Sequence, residues 1–296
     1  MPRLDRVLPL ALLLLLPGAP ARAATAADHA DYVVLGKAVN HRQHADGSLS
    51  LLNTVFFAEI FERPGGTVTD GMLHGPGDAA GGLAFPEGDI HFLAGERSTT
   101  LEGLATRFPD ASYRFSFDTP DGAVEDLAVT FRPGEDGPRN PEPIRLTLRQ
   151  GGGVVSPTAV DPTQDLEVEW TPFAKGGADP LGIADDMIYV IFGDCLGNET
   201  VHSGHALQDA GALTFRDTRF TIPAAALAPG EPHQLEVEHS EMDTARGDAG
   251  IETIVTYAAT TFLDLRTTGT PSGARSCPEE PLAMDGGQTD RRRAAP

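Results

Sequence analysis

Residues 165–173 read DLEVEWTPF, and residues 220–239 read FTIPAAALAPGEPHQLEVEH. In the first stretch Leu166, Val168 and Trp170 alternate with Glu167, Glu169 and Thr171. Successive side chains on a strand point to opposite faces, so this spacing predicts a half-buried strand with Trp170 inward. In the second, Leu235 and Val237 alternate with Glu236 and Glu238 after a Pro229-Gly230 turn. Between them, Met187 to Phe192 is a continuous apolar run, as expected of a strand covered on both faces. Ile251 to Leu265 supplies a last strand.

Taken together, Asp165 to Glu238 resembles a fibronectin type III sandwich. That family carries an apolar strand, then Leu-x-Pro-Gly-x-x-Tyr, then alternating apolar positions. Here Leu227, Pro229, Gly230, His233, Leu235 and Val237 stand at those places. The family's tyrosine bonds back to the backbone at the sandwich corner. His233 in its place implies an altered corner that keeps one donor and fills less space. The resemblance implies a fold and no activity. It also sets the third and last strands parallel in one sheet, with one strand between them. Cys195 then ends the third strand, and Cys277 lies twelve residues beyond Leu265. In an oxidising compartment a Cys195–Cys277 disulfide is the expectation.

The first half offers strand candidates at Tyr32–Ala38, Leu49–Phe61, Gly82–Phe85, Ile90–Leu93, Tyr113–Phe117 and Leu127–Phe131, separated by Gly/Pro turns. Leu49–Phe61 is long enough to bend or bulge at Asn53. Leu101–Arg107 and Ala224–Leu227 read as short helical turns. Pro109 and Tyr113, followed by Phe115 and Phe117, repeat the spacing of Pro229 and His233, followed by Leu235 and Val237, at an offset of 120 residues. This echo points to a second immunoglobulin-like sandwich, with a jelly-roll-like one as the alternative. The fold class expected is all-β, with two tandem immunoglobulin-like β-sandwich domains and a disordered C-terminal tail. The divisions are a signal peptide over 1–23, sandwiches over 24–134 and 144–267, a Pro- and Gly-rich linker over 135–143, and the tail over 268–296.

Residues 1–23 have Arg3 and Arg6, the apolar run VLPLALLLLL, and Ala21-Arg22-Ala23 as a cleavage site, the marks of a secretory leader. The apolar run is too short to span a bilayer, which needs about 20 residues, and no membrane anchor is expected. Removing the leader takes away three arginines and one aspartate, so the net charge of −21 becomes −23. That charge repels phosphate backbones and makes nucleic acid a poor partner. Two lysines against twenty arginines, with much Ala, Gly and Pro, suggest a GC-rich bacterial genome. The expected location is secreted, periplasmic or extracellular.

Candidate chemistry is sparse. His41/His44 and His202/His205 have HxxH spacing, and the second pair sits beside Gly204, where a turn can bring both imidazoles to one metal. Acidic groups at Asp118/Asp121/Glu125/Asp126 and Asp185/Asp186 lack EF-hand spacing and read as solvated loops. Arg246-Gly247-Asp248 falls between the last two strands, and Asn198-Glu199-Thr200 is a glycosylation sequon. GxSxG, Walker A, GxGxxG and HExxH signatures are absent from the sequence. The expectation is a non-catalytic binding or structural module with no cofactor and an unidentified protein or glycan partner. The alternatives are a glycan hydrolase or its accessory domain, and a metal-binding periplasmic protein.

Overall fold

The structure is a computed structural model that describes residues 24–86, 91–95, 97–134, 138–194 and 198–271. The leader, Cys195, Cys277 and the tail from 272 lie outside the described residues.

The first half runs β1 (Ala30–Gln43), β2 (Leu49–Glu62), β3 (Thr69–His74), β4 (Leu83–Ala84), β5 (His91–Ala94), α1 (Leu101–Arg107), β6 (Ser112–Thr119) and β7 (Gly122–Thr130). The second runs β8 (Leu146–Gln150), β9 (Gly153–Val154), β10 (Leu166–Trp170), β11 (Met187–Asp194), β12 (Glu199–His202), β13 (Leu213–Thr214), β14 (Arg219–Ile222), β15 (Pro232–Arg246) and β16 (Glu252–Arg266). The fold is all-β. The alternating strand at Leu166–Trp170 and the helical turn at Leu101–Arg107 fall where the residue spacing puts them. A register shift at Asn40/His41, opposite Asn53 and Leu51, marks the irregularity expected in the long second strand. β3 is absent from the strands read in the sequence. It is short, holds Asp70 and Gly71, and Asp70 has φ +53, which breaks the alternation.

Both halves follow one chain path. In the second, β8, β10 and β14 form one sheet with β9, while β12, β11, β15 and β16 lie side by side in another. This is the Greek-key order of an immunoglobulin-like sandwich. In the first, β1, β2 and β5 share one sheet and β4, β3, β6 and β7 the other, which is the same order. The corners match as well. Tyr113 donates its hydroxyl to Pro109 O at 3.0 Å, and His233 Nε2 lies 3.5 Å from Ala228 O. The histidine contact is longer and weaker, and its ring instead stacks on Phe192 at 4.9 Å.

The two halves are joined through one sheet. β1 pairs with β16 in parallel, from Tyr32 opposite Glu252 to Gln43 opposite Leu263. The result is a single sheet in the order β12-β11-β15-β16-β1-β2-β5, with β13 attached to β11. Each four-stranded sheet covers half of its inner face. β16 feeds both cores: Val255 and Tyr257 pack with Phe56, Phe108, Tyr113 and Phe131, while Leu263 and Leu265 pack with Trp170, Phe192 and Leu235. The expected division at 135–143 therefore does not divide the hydrogen bonding.

The expected linker is likewise not a free tether. Asn140 donates to Lys37 O at 2.9 Å and to Ala258 O at 2.8 Å. Arg139 lies over the Tyr257 ring at 4.2 Å and pairs with Glu241 and Asp243. Arg139 and Asn140 thus lie against the inner face of the long sheet, beside Lys37 and Tyr257. Lys37 is buried, pairs with Asp110 and sits 4.5 Å from the Phe131 ring centroid; burial pushes its pKa down. At the start of the expected tail, Thr268 is fixed by backbone bonds to Val160 and Gly230. No helix among the described residues is long and apolar enough to cross a membrane.

Candidate functional site

The small sheets occupy only the inner face of the long sheet, which leaves its outer face to be explained. On β1 that face carries Tyr32, Val34, Gly36, Ala38 and Asn40, and on β16 Ile254, Thr256, Ala258 and Thr260. Most of these side chains are buried although no sheet of the described residues packs on them. The sheet curls instead. β11 and β2 are four strand spacings apart, about 19 Å if flat. Yet His205, in the loop after β12, bonds Tyr189 of β11 through Nε2 at 3.1 Å and packs on Phe61 of β2 at 5.7 Å between ring centroids. Gln208 from the same loop donates to Glu62 O at 3.3 Å. The outer face is thus a trough, bridged on one side by the loop after β12.

Its floor is a recess of about 70 Å³. Aromatic walls come from Tyr32, Phe57, Phe61, Phe92 and Tyr189, and polar groups from Asn40, Glu59, Glu236, Glu238 and Thr260. Tyr32 and Phe61 stack at 4.3 Å. Gly36 is required here by close approach, because a Cβ on it would fall 2.1 Å from the Phe57 ring. The ring lies over this gap in β1 and closes the middle of the floor. Glu236 and Glu238 share the outer face of β15 because they are two residues apart. Glu238 accepts from Ser240 Oγ at 2.6 Å and from Thr260 Oγ1 at 3.1 Å. Glu59 enters from β2, so carboxylates reach the recess from both halves of the chain.

The rim holds the histidine pair singled out by spacing. His202 and His205 converge with Asp209, a residue the spacing did not flag, and one ligand atom from each lies within 4.8 Å of the others. His41 and His44 gain no third ligand among the described residues; His44 bonds Ser50 instead. The acidic groups are engaged as well. Asp121 pairs with His29, Asp126 faces Arg114, and Asp185 pairs with Arg216. Asp186 accepts backbone N–H groups of Gly177 and Met242, and burial pushes its pKa up. Arg246-Gly247-Asp248 turns the β15–β16 hairpin, with Gly247 donating to Ile251 O. Asn198 of the sequon is bonded to Asp194. Trp170, Leu227 and His233 are buried; Gly230 is buried at φ +69, and Pro229 beside it is exposed. These serve the sandwich frame and lie apart from the trough.

Fold and site together define an all-β protein with two small sheets on one long, curled sheet and an acidic, aromatic-lined trough. No family model and no curated protein matches the chain. Among solved structures, the chain is similar to a 1.5-MDa bacterial ice-binding adhesin, in a structure concerned with its retention on the host cell surface. The identity is 10%, with 80% of this chain and 65% of the adhesin chain covered, at a TM-score of 0.20. The FN1–FN3 domains of chicken CNTN1 are similar at 11% identity, covering 81% of this chain and 68% of that one, at a TM-score of 0.19. At TM-scores this low, neither similarity bears on what this chain does.

Proposed function

We propose that this chain is a secreted, non-catalytic binding module built from two fibronectin type III-like sandwiches, and that its trough accepts a basic side chain of a partner protein. The observation that carries this reading is the placement of Glu59, Glu236 and Glu238 among aromatic rings in one recess, whose lining among the described residues holds no Lys or Arg. Carboxylates and ring faces both attract a cation, and the attraction grows as water is excluded. The size of the recess chooses between ligand classes. Sites for whole small molecules or cofactors measure about 300–1,000 Å³, and 70 Å³ suits a side-chain tip better than a sugar ring. The charge of −23 after leader removal favours encounter with a basic surface.

The test is a titration of the mature protein with a lysine-rich peptide, an acidic peptide of the same length, and a panel of oligosaccharides. Binding to the basic peptide, weakened at least tenfold in a Glu236→Gln/Glu238→Gln variant and by raised salt, is the expected result. Binding or hydrolysis of a glycan that depends on the same carboxylates would replace this reading with the glycan-hydrolase one.

Secretion carries its own test. N-terminal sequencing of exported protein should give Ala24, and retention of Met1 refutes the leader. A Cys195–Cys277 link should appear in non-reducing peptide maps as one joined pair, whereas two alkylatable thiols from an oxidising compartment exclude it.

A further inference from the structure

We propose that His202, His205 and Asp209 form a binding site for a single divalent transition-metal ion of the zinc class. Two imidazoles three residues apart on a flat strand would point to opposite faces. Here β12 ends at His202, and Gly204 at φ +91 and Leu207 at φ +67 fold the chain back on itself. The turn brings the two rings to 5.4 Å between centroids, with one ligand atom of each within 4.8 Å of one on Asp209.

The distances suit a metal after a small closure. Candidate ligand atoms lie within 4.8 Å of one another, and His205 Nδ1 is 3.8 Å from Asp209 Oδ2. Ligands at about 2.0–2.2 Å around tetrahedral zinc are separated by about 3.4 Å. The loop therefore needs to tighten by up to about 1.4 Å.

The surroundings also prepare His205. With the ring proton on Nε2, that N–H donates to the Tyr189 hydroxyl at 3.1 Å, and the Nδ1 lone pair faces Asp209. An outer partner that fixes tautomer and ring orientation is the usual companion of a ligating histidine. Asp209 is held in turn, since its Oδ2 accepts the His205 backbone N–H at 2.8 Å. His202 is less prepared. Its Nδ1 accepts the Gly204 N–H at 3.0 Å, and ligation through Nδ1 exchanges that bond for the metal. Two nitrogens and one carboxylate favour zinc, nickel or copper over calcium or magnesium, which seek oxygen. Three protein ligands leave one position for water or a partner's group. Because His205 also lines the trough, a bound ion would fix the loop after β12 against Phe61.

The experiment is a calorimetric titration of the untagged mature protein with zinc, repeated with cobalt and followed by its visible absorption. One ion per chain is expected, with a cobalt spectrum of low coordination number. His202→Ala and His205→Ala should each weaken zinc binding by about 100-fold or more, and Tyr189→Phe by about tenfold through the lost outer bond. Asp209→Asn provides a near-isosteric control and should also weaken binding. Absence of saturable zinc uptake by the wild-type protein refutes the site. So does unchanged affinity in the His202→Ala/His205→Ala double variant, whose folding is checked by circular dichroism.

Discussion

Replacing Trp170 with alanine is expected to lower stability by about 3–5 kcal/mol, the range for large-to-small changes at aromatic core positions. Trp170 is only 5% exposed, packs in the second core, and donates Nε1–H to Asp217 O at 3.0 Å. Truncation leaves a cavity and a carbonyl without its donor. At roughly 2–4 °C per kcal/mol for a chain of this size, the midpoint should fall by about 6–20 °C. The informative part is where the loss is felt. β16 supplies Val255 and Tyr257 to the first core and Leu263 and Leu265 to the second, and it is hydrogen-bonded to β1 along its length. The melt should remain one transition by calorimetry, displaced as a whole. Two resolved transitions, with only one displaced, would show that the halves unfold independently and would overturn the shared-sheet account. Native fluorescence of this single tryptophan should be blue-shifted.

Acid should weaken the protein through His239. Burial holds its pKa down to about 4, against an ordinary value of 6.5. Its ring stacks on Phe173 at 4.7 Å, and its Nε2 has no hydrogen-bond partner among the described residues. Lys175, Arg145 and Glu142 line the same cavity of about 250 Å³. The folded state keeps this imidazole neutral while the unfolded chain protonates it below about pH 6.5. Stability from this group is therefore complete above 6.5 and is lost as pH falls towards 4. At about 1.4 kcal/mol per pH unit, the loss approaches 3 kcal/mol for one site. His41 and His233, also lowered by burial, act in the same direction. Urea denaturation of the wild type and of His239→Leu at pH 7 and pH 4.5 measures the effect. The variant should lose distinctly less stability across that range, and equal losses in the two proteins would remove His239 as the cause. Carboxylate titration is common to both and cancels in the comparison.

Local pattern was enough for the sandwich frame. Leu166, Val168 and Trp170 face inward because a strand has period two, and that period is written in consecutive residues. The 120-residue echo between Tyr113 and His233 was legible for the same reason, since a corner is a local contact over four or five residues. The histidine pair was visible by spacing. Asp209 was not, because its approach depends on left-handed backbone at Gly204 and Leu207, and no spacing rule encodes that for leucine.

The trough was hidden for a different reason. Tyr32, Phe57 and Glu59 lie more than 120 residues from Tyr189, Glu236 and Glu238, and only the parallel pairing of β1 with β16 brings them to one surface. Alternation places Glu236 and Glu238 on the face opposite Leu235 and Val237, where they read as solvated. The same alternation fails in β1 and β16, whose two faces are both largely buried, so that apolar and polar residues no longer separate by face. A sequence records which face of a strand avoids water. Which strand lies at its edge, and whether the resulting sheet curls far enough to enclose its own outer face, depends on contacts between segments that the local pattern does not relate.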